Sequence, residues 1–147
     1  MEKSATVYKK AGQVLVVPES TVVGTAWYGH GPIRSLPATA SDTDLGTAVL
    51  GALEASRWLP RFPPREEIAA SEKEQWRAFR VRSRSQFAAN TLNVSVSLEA
   101  GALQAMPSTF GGPQIGWKPL TDQTVSAVNL SPASVGAAVR EAIERAS

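Results

Sequence analysis

The sequence predicts an α+β fold: a single domain with an antiparallel sheet of about seven short strands and three helices, built from two similar strands-then-helix units. Three observations carry this. Leu36–Arg57 and Ser131–Ser147 read as two copies of one amphipathic helix. Ser41 and Ser131 are N-cap residues, Leu45, Val49 and Leu53 recur at helical spacing, and Val135, Val139 and Ile143 answer them. Aligned without gaps, Ser41, Gly46, Ala48, Val49, Ala52 and Glu54 match Ser131, Gly136, Ala138, Val139, Ala142 and Glu144. The likeness also extends upstream. Ala11-Gly12 with Pro18 beyond it is matched by Ala100-Gly101 with Pro107, Ser20-Thr21 by Ser108-Thr109, and Gly24 by Gly111 or Gly112. Finally, Leu92–Leu98 alternates apolar and polar residues as a half-buried strand does. The units cover roughly residues 5–57 and 92–147. Two copies are too few for a solenoid and predict one pseudo-symmetric domain.

Taken in order, Thr6–Tyr8 and Gln13–Val17 read as strands of a hairpin turning at Ala11-Gly12, with Pro18 ending the second. Thr21–Tyr28 is β-branched and aromatic, and predicts a further strand before the turn Gly29-His30-Gly31-Pro32. Ile33–Leu36 is extended because Pro37 follows. The first helix then runs to about Arg57. In Trp58–Pro64 the prolines at 60, 63 and 64 predict an extended strap anchored by Trp58 and Phe62. Arg65–Arg82 is a second helix, with Ile68, Trp76 and Phe79 on a rough stripe, and Ser83–Asn90 a further short turn of helix. Ala102–Met106 pairs with Leu92–Leu98, Ile115–Lys118 and Val125–Leu130 are strands, and the last helix starts at Ser131 and Pro132. Gly46 and Gly136, each costly inside a helix, predict places where the helices approach strand backbone closely.

Bulk properties exclude several classes. At 147 residues and 43% hydrophobic the chain can bury a substantial core, and only 19% of it is charged. A net charge of +2 is too small to imply nucleic acid or anionic membrane by itself. The absence of cysteine rules out a disulfide scaffold, a cysteine nucleophile and thiolate zinc, and accords with a cytoplasmic location. No apolar run reaches the ~18 residues of a membrane span, and the N-terminus lacks a signal-peptide core.

No catalytic constellation emerges, so the sequence predicts a binding protein, neither an enzyme nor a cofactor or metal protein. His30 is the lone histidine, and no nucleophile elbow accompanies it. Gly111–Gly116 lacks the Lys-Ser/Thr ending of a phosphate loop, and its match to the first unit marks it as a hairpin connection. Between residues 57 and 84, Arg57, Arg61, Arg65, Lys73, Arg77, Arg80, Arg82 and Arg84 interleave with Trp58, Phe62, Trp76 and Phe79. That pattern suits single-stranded nucleic acid, an alternative function whose affinity would fall steeply with salt. Glu66, Glu67, Glu72 and Glu74 offset it, which favours the aromatics as core and the arginines as a solvated helix face. Candidate partner-binding residues are Trp27, Tyr28, His30, Trp117 and Lys118, beside glycines at strand ends, with those four glutamates as an acidic patch.

The run LPATASDTDLGTAVLGALEASR resembles the central signature of the immunity proteins of contact-dependent growth inhibition (CDI) systems. Phe79 to Phe87, then NVSVSLEAGALQAMPS, Gly116-Trp117-Lys118-Pro119-Leu120 and the second Val-Gly-led helix are similar to that family in the same order. The resemblance implies a small cytoplasmic protein that binds a cognate toxin domain, often a nuclease, and covers its active site or substrate groove. Such inhibitors of basic nucleases are usually acidic, whereas this chain is slightly basic.

Overall fold

Both hairpins turn on two residues of left-handed backbone. In the computed structural model, which describes residues 1–22 and 26–146, β1 (Lys3–Lys10) and β2 (Gln13–Val22) are joined by Ala11 at φ 49° and Gly12 at φ 80°. The strands β6 (Leu92–Glu99) and β7 (Ala102–Phe110) are joined by Ala100 at φ 52° and Gly101 at φ 77°. Two consecutive positive φ angles make a type I′ turn, whose twist matches that of the flanking strands. The repeated Ala-Gly is therefore one hairpin used twice.

β1 and β6 lie antiparallel at the centre of the sheet, with Thr6 opposite Ser95, and an approximate twofold axis relates the two hairpins across this pair. Outside β2 run β4 (Arg34–Pro37), then β3 (Tyr28–Gly29), with β5 (Trp58–Leu59) parallel to its far end. Outside β7 run β9 (Val125–Ala127) and β8 (Trp117–Pro119).

In each half the outer neighbour changes at a proline. β2 pairs β4 as far as Val16 and β3 from Glu19; β7 pairs β9 as far as Ala105 and β8 from Ser108. Counted from the turn, Pro18 and Pro107 face Ala5 and Val94 in non-hydrogen-bonded pairs. Their missing N–H would point outward, into the gap between outer strands. This corrects the expectation that Pro18 ends its strand, because β2 continues to Val22. The expected strand over 21–28 falls partly on Val23, Gly24 and Thr25, which lie outside the described residues, as does the match of Gly24.

The helices α1 (Asp42–Ala55) and α4 (Pro132–Ala146) lie side by side on one sheet face. Ser41 Oγ accepts from Asp44 N at 3.1 Å and Ser131 Oγ from Ser134 N at 3.3 Å, the same cap in both copies. Leu45, Val49, Leu53, Val135, Val139 and Ile143 pack there onto Ala5, Val7, Val14, Val16, Val94, Val96, Leu103 and Ala105. Gly46 and Gly136 correct a second expectation, since each meets the other helix and not a strand. A Cβ on Gly46 would lie 1.7 Å from the carbonyl oxygen of Pro132, and one on Gly136 1.7 Å from that of Asp42. Arg140 adds an asymmetric tie, donating to Asp42 Oδ1 at 2.7 Å and to the carbonyl oxygens of Ala38 and Ala40.

The opposite sheet face is covered over one half. There α2 (Arg65–Ala78) and α3 (Arg84–Ala88) bring Phe79 and Phe87 onto Leu15 and Val17, joined by Trp76 and Tyr8. The symmetry-related positions on β7 are exposed Gln104 and half-buried Met106, and this half stays open. The described residues thus hold nine strands and four helices, against about seven and three expected. The additional strands run for two to four residues, too short for alternation to reveal. α2 stops at Ala78, not Arg82, because Arg80 adopts φ 56° and Val81 N bonds back to Trp76 O, a Schellman ending without glycine.

Gly46→Ala should lower the melting temperature by several degrees, although alanine is normally favoured over glycine in a helix by about 1 kcal/mol. Gly46→Ala combined with Gly136→Ala should cost clearly less than the sum of the single changes, because either one already parts the helices. Thermal unfolding of the three variants followed by circular dichroism tests both statements; full additivity would show that the two contacts are independent.

Candidate functional site

On the partly covered face, between α2 and α3 on one side and β8 on the other, lies a cleft of about 550 Å³. Strand alternation builds its floor, since Val7 faces α1 and α4 while Thr6 and Tyr8 face the cleft. Asn93 Nδ2 donates to Thr6 Oγ1 at 2.8 Å and so fixes the floor across the central pair of strands. The Tyr8 ring meets Phe87 edge-on at 4.8 Å and Trp117 at 6.1 Å. Burial, and then the charge of Glu19, push its phenol above the ordinary tyrosine pKa, so Tyr8 stays neutral.

One wall is Phe110 and Trp117, register partners on β7 and β8 with ring centres 5.2 Å apart. The loop between them, residues 111–116, is closed by Gly111 N to Gly116 O at 2.7 Å and Gly116 N to Gly112 O at 2.8 Å. It is the hairpin connection expected, and its tip carries Ile115 at 61% exposure. The other wall is Ile68, Glu72, Gln75 and Trp76 of α2 with Arg84 and Phe87 of α3. Arg84 clasps Glu72 with both arms of its fork, Nε to Oε1 at 2.8 Å and Nη2 to Oε2 at 3.1 Å. The buried Tyr28 Oη at the cleft has no hydrogen-bond partner among the described residues.

The wall formed by α2 is lightly attached. Within the helix only Gln75 is buried. His30 Nε2 lies 3.4 Å from Glu67 Oε1, and Ser71 Oγ donates to Gly29 O at 3.4 Å.

A second, polar depression on the open half of the same face is lined by Ser4, Glu19, Trp27, Ser95, Ser97 and Gln104. Ser4 Oγ donates to Glu19 Oε1 at 2.7 Å, yet burial outweighs that bond and raises the Glu19 carboxyl above the ordinary range. Among the described residues no group of three or more His, Cys, Asp or Glu side chains is gathered as a metal ion would need.

The structure brings Tyr28, Glu72 and Trp117 together in the cleft. His30 and Glu67 pair at its edge, and exposed Lys118 follows Trp117 on β8. Trp27 is separate, in the second depression, edge-on to Trp58 at 6.0 Å. Glu66 and Glu74 are exposed on α2, while Glu67 lies against His30 and Glu72 against Arg84. Tyr8, Trp76, Phe87, Phe110 and Arg84 complete the cleft; none was among the candidate partner-binding residues, although Trp76 and Arg84 belong to the basic-aromatic segment. Nothing local distinguishes a cleft aromatic from a core one, and Trp76 and Phe87 are both. Of the basic-aromatic segment, Trp76 and Phe79 pack inside and Trp58 donates its indole N–H to Glu2 O, leaving Phe62 exposed.

Comparison with known proteins follows the same lines. Residues 3–146 match the family described as CDI immunity protein. A protein of unknown function from Neisseria meningitidis shares the fold at TM-score 0.83 and 21% identity, over 99% of this chain and 95% of that one. A chain of the CdiA-CT/CdiI toxin and immunity complex from Yersinia pseudotuberculosis does so at TM-score 0.83 and 18% identity, over 100% and 98%. No curated protein matches.

The raised Glu19 pKa has a sign that can be checked. A carboxyl raised in the folded state favours folding below its unfolded pKa, and that contribution is lost as pH rises through the folded value. Glu19→Gln, which keeps an acceptor for Ser4, should therefore melt higher than the parent at pH 7.5, with the difference closing towards pH 4. Melting curves at the two pH values decide it; an unchanged gap would remove Glu19 ionisation as the cause.

Proposed function

The chain belongs to the CDI immunity protein family, and from this we propose that it binds the cognate toxin domain of a CDI system and neutralises it by occupancy, without catalysis, in the cytoplasm of the cell it protects. The toxin expected is a nuclease domain whose active site or substrate groove the immunity protein covers. Among the described residues no helix is long and apolar enough to cross a membrane. The structurally similar Yersinia chain comes from a toxin and immunity complex, and supports a protein partner.

The observation that carries the reading furthest is the cleft with its apolar rim. Phe110 and Ile115 stand 37% and 61% exposed beside half-buried Trp76 and Trp117. Large apolar side chains around an aromatic concavity are the anchors on which protein interfaces concentrate their energy. Selectivity among toxins then rests on complementarity in the cleft and on clashes at its rim.

Co-expression with the product of the adjacent upstream gene should yield a stable one-to-one complex and suppress that product's toxicity. Phe110→Asp and Ile115→Asp should each leave the melting temperature within a few degrees of the parent. Each should weaken the complex by roughly 30-fold, about 2 kcal/mol at an interface anchor. Calorimetric titration checks this, and undiminished affinity in both variants would move the interface away from the cleft.

A further inference from the structure

The cleft already holds a guanidinium, and it is the protein's own. Arg84 grips the Glu72 carboxylate through two parallel bonds at 2.8 and 3.1 Å, the geometry in which a carboxylate best receives an arginine. Yet the Arg84 side chain is 82% exposed while Glu72 is 30% exposed. The carboxylate is set into the wall, whereas its partner reaches it from solvent. With its guanidinium largely in solvent, Arg84 is screened, and a better-buried cation can compete for the carboxylate.

The surroundings of Glu72 suit a second guanidinium better than they suit Arg84. Trp76, Trp117 and Tyr8 present aromatic surface to the same cleft, on which a planar cation stacks favourably. Tyr28, whose buried Oη has no hydrogen-bond partner among the described residues, also lines the cleft. A guanidinium carries five donors and no acceptor, so a carboxylate beside aromatic faces matches it by both charge and shape.

We propose that the cleft is an arginine-binding pocket, in which a guanidinium of the partner toxin takes the Glu72 carboxylate from Arg84 and stacks among Trp76, Trp117 and Tyr8. This rests on the reading that the cleft receives the toxin. It also resolves the charge problem posed by a slightly basic inhibitor. Recognition of a basic partner needs one recessed carboxylate, masked in the free protein by a displaceable arginine, and no acidic surface.

The test uses the full chain and a small probe, Nα-acetyl-arginine amide, with Nα-acetyl-norleucine amide as the uncharged control. The indole N–H resonances of Trp27, Trp58, Trp76 and Trp117 are followed by NMR. The arginine amide should shift Trp76 and Trp117 saturably, leave Trp27 and Trp58 in place, and outbind the norleucine amide. Glu72→Gln should weaken binding about tenfold, the scale of one charge-assisted hydrogen bond. Arg84→Ala, which removes the competitor, should strengthen it several-fold. Both changes lie at the solvent boundary, and the unperturbed Trp58 resonance reports that the fold is kept. No shift at Trp76 and Trp117, an equal response to norleucine amide, or weaker binding by Arg84→Ala would each overturn the assignment. If the parent still neutralised its toxin, any of those results would remove the arginine pocket and leave the immunity reading standing.

Discussion

Two glycines set the distance on which the rest of the structure depends. Gly46 and Gly136 face the first-turn carbonyls of the opposite helix so closely that no Cβ fits at either position. Glycine in a helix costs backbone entropy, and here that cost secures an approach no other residue allows. With α1 and α4 held together as one layer, their stripes cover the paired hairpins on both sides of the β1–β6 junction. A wider crossing would leave the central valines of β1 and β6 beneath a gap between helices, and close packing of the interior does not tolerate such a void.

The working surface arises where the two halves cease to be alike. Each half supplies a hairpin, a proline at the change of outer strand, and a helix. Between the halves the chain inserts the proline strap, α2 and α3, which roof the outward face of β1 and β2. The other half has no such roof, and its sequence accords with that, since Gln104 and Met106 stand where Leu15 and Val17 stand in the first half. The cleft is the seam between the roofed and the open half. The shared core face gives stability, and the unshared insertion creates a concavity for a partner.

The chemistry of the seam follows from its position. The aromatics there are half committed to packing and half available, as Tyr8 shows by contacting both buried Phe87 and cleft-wall Trp117. Charge is sparse, with one recessed carboxylate held by an exposed arginine. α2, which bears Glu72, is tied to the sheet by Gln75, Trp76, the His30–Glu67 pair and the Ser71–Gly29 bond. A surface of this type offers shape and a few directed polar groups to whatever it binds.

The sequence by itself determined the duplication, the Ala-Gly turns, the serine caps and the apolar stripes. Each is a local rule: left-handed backbone at a turn, a hydroxyl on a free N–H, a side chain every helical turn. It also pointed to Tyr28, Glu72 and Trp117 as candidates. The tertiary structure decided which element each repeated feature served. Gly46 and Gly136 were legible as close contacts, but whether they met a strand or each other depended on how the two units docked. Pro18 looked like a strand end because its missing N–H is a local defect, and the defect is harmless only where two outer strands leave a gap. The pairing of Glu72 with Arg84 and of Glu67 with His30 was invisible in a run of helical charges. Such pairings are set by long-range geometry, which periodicity along one chain segment does not encode.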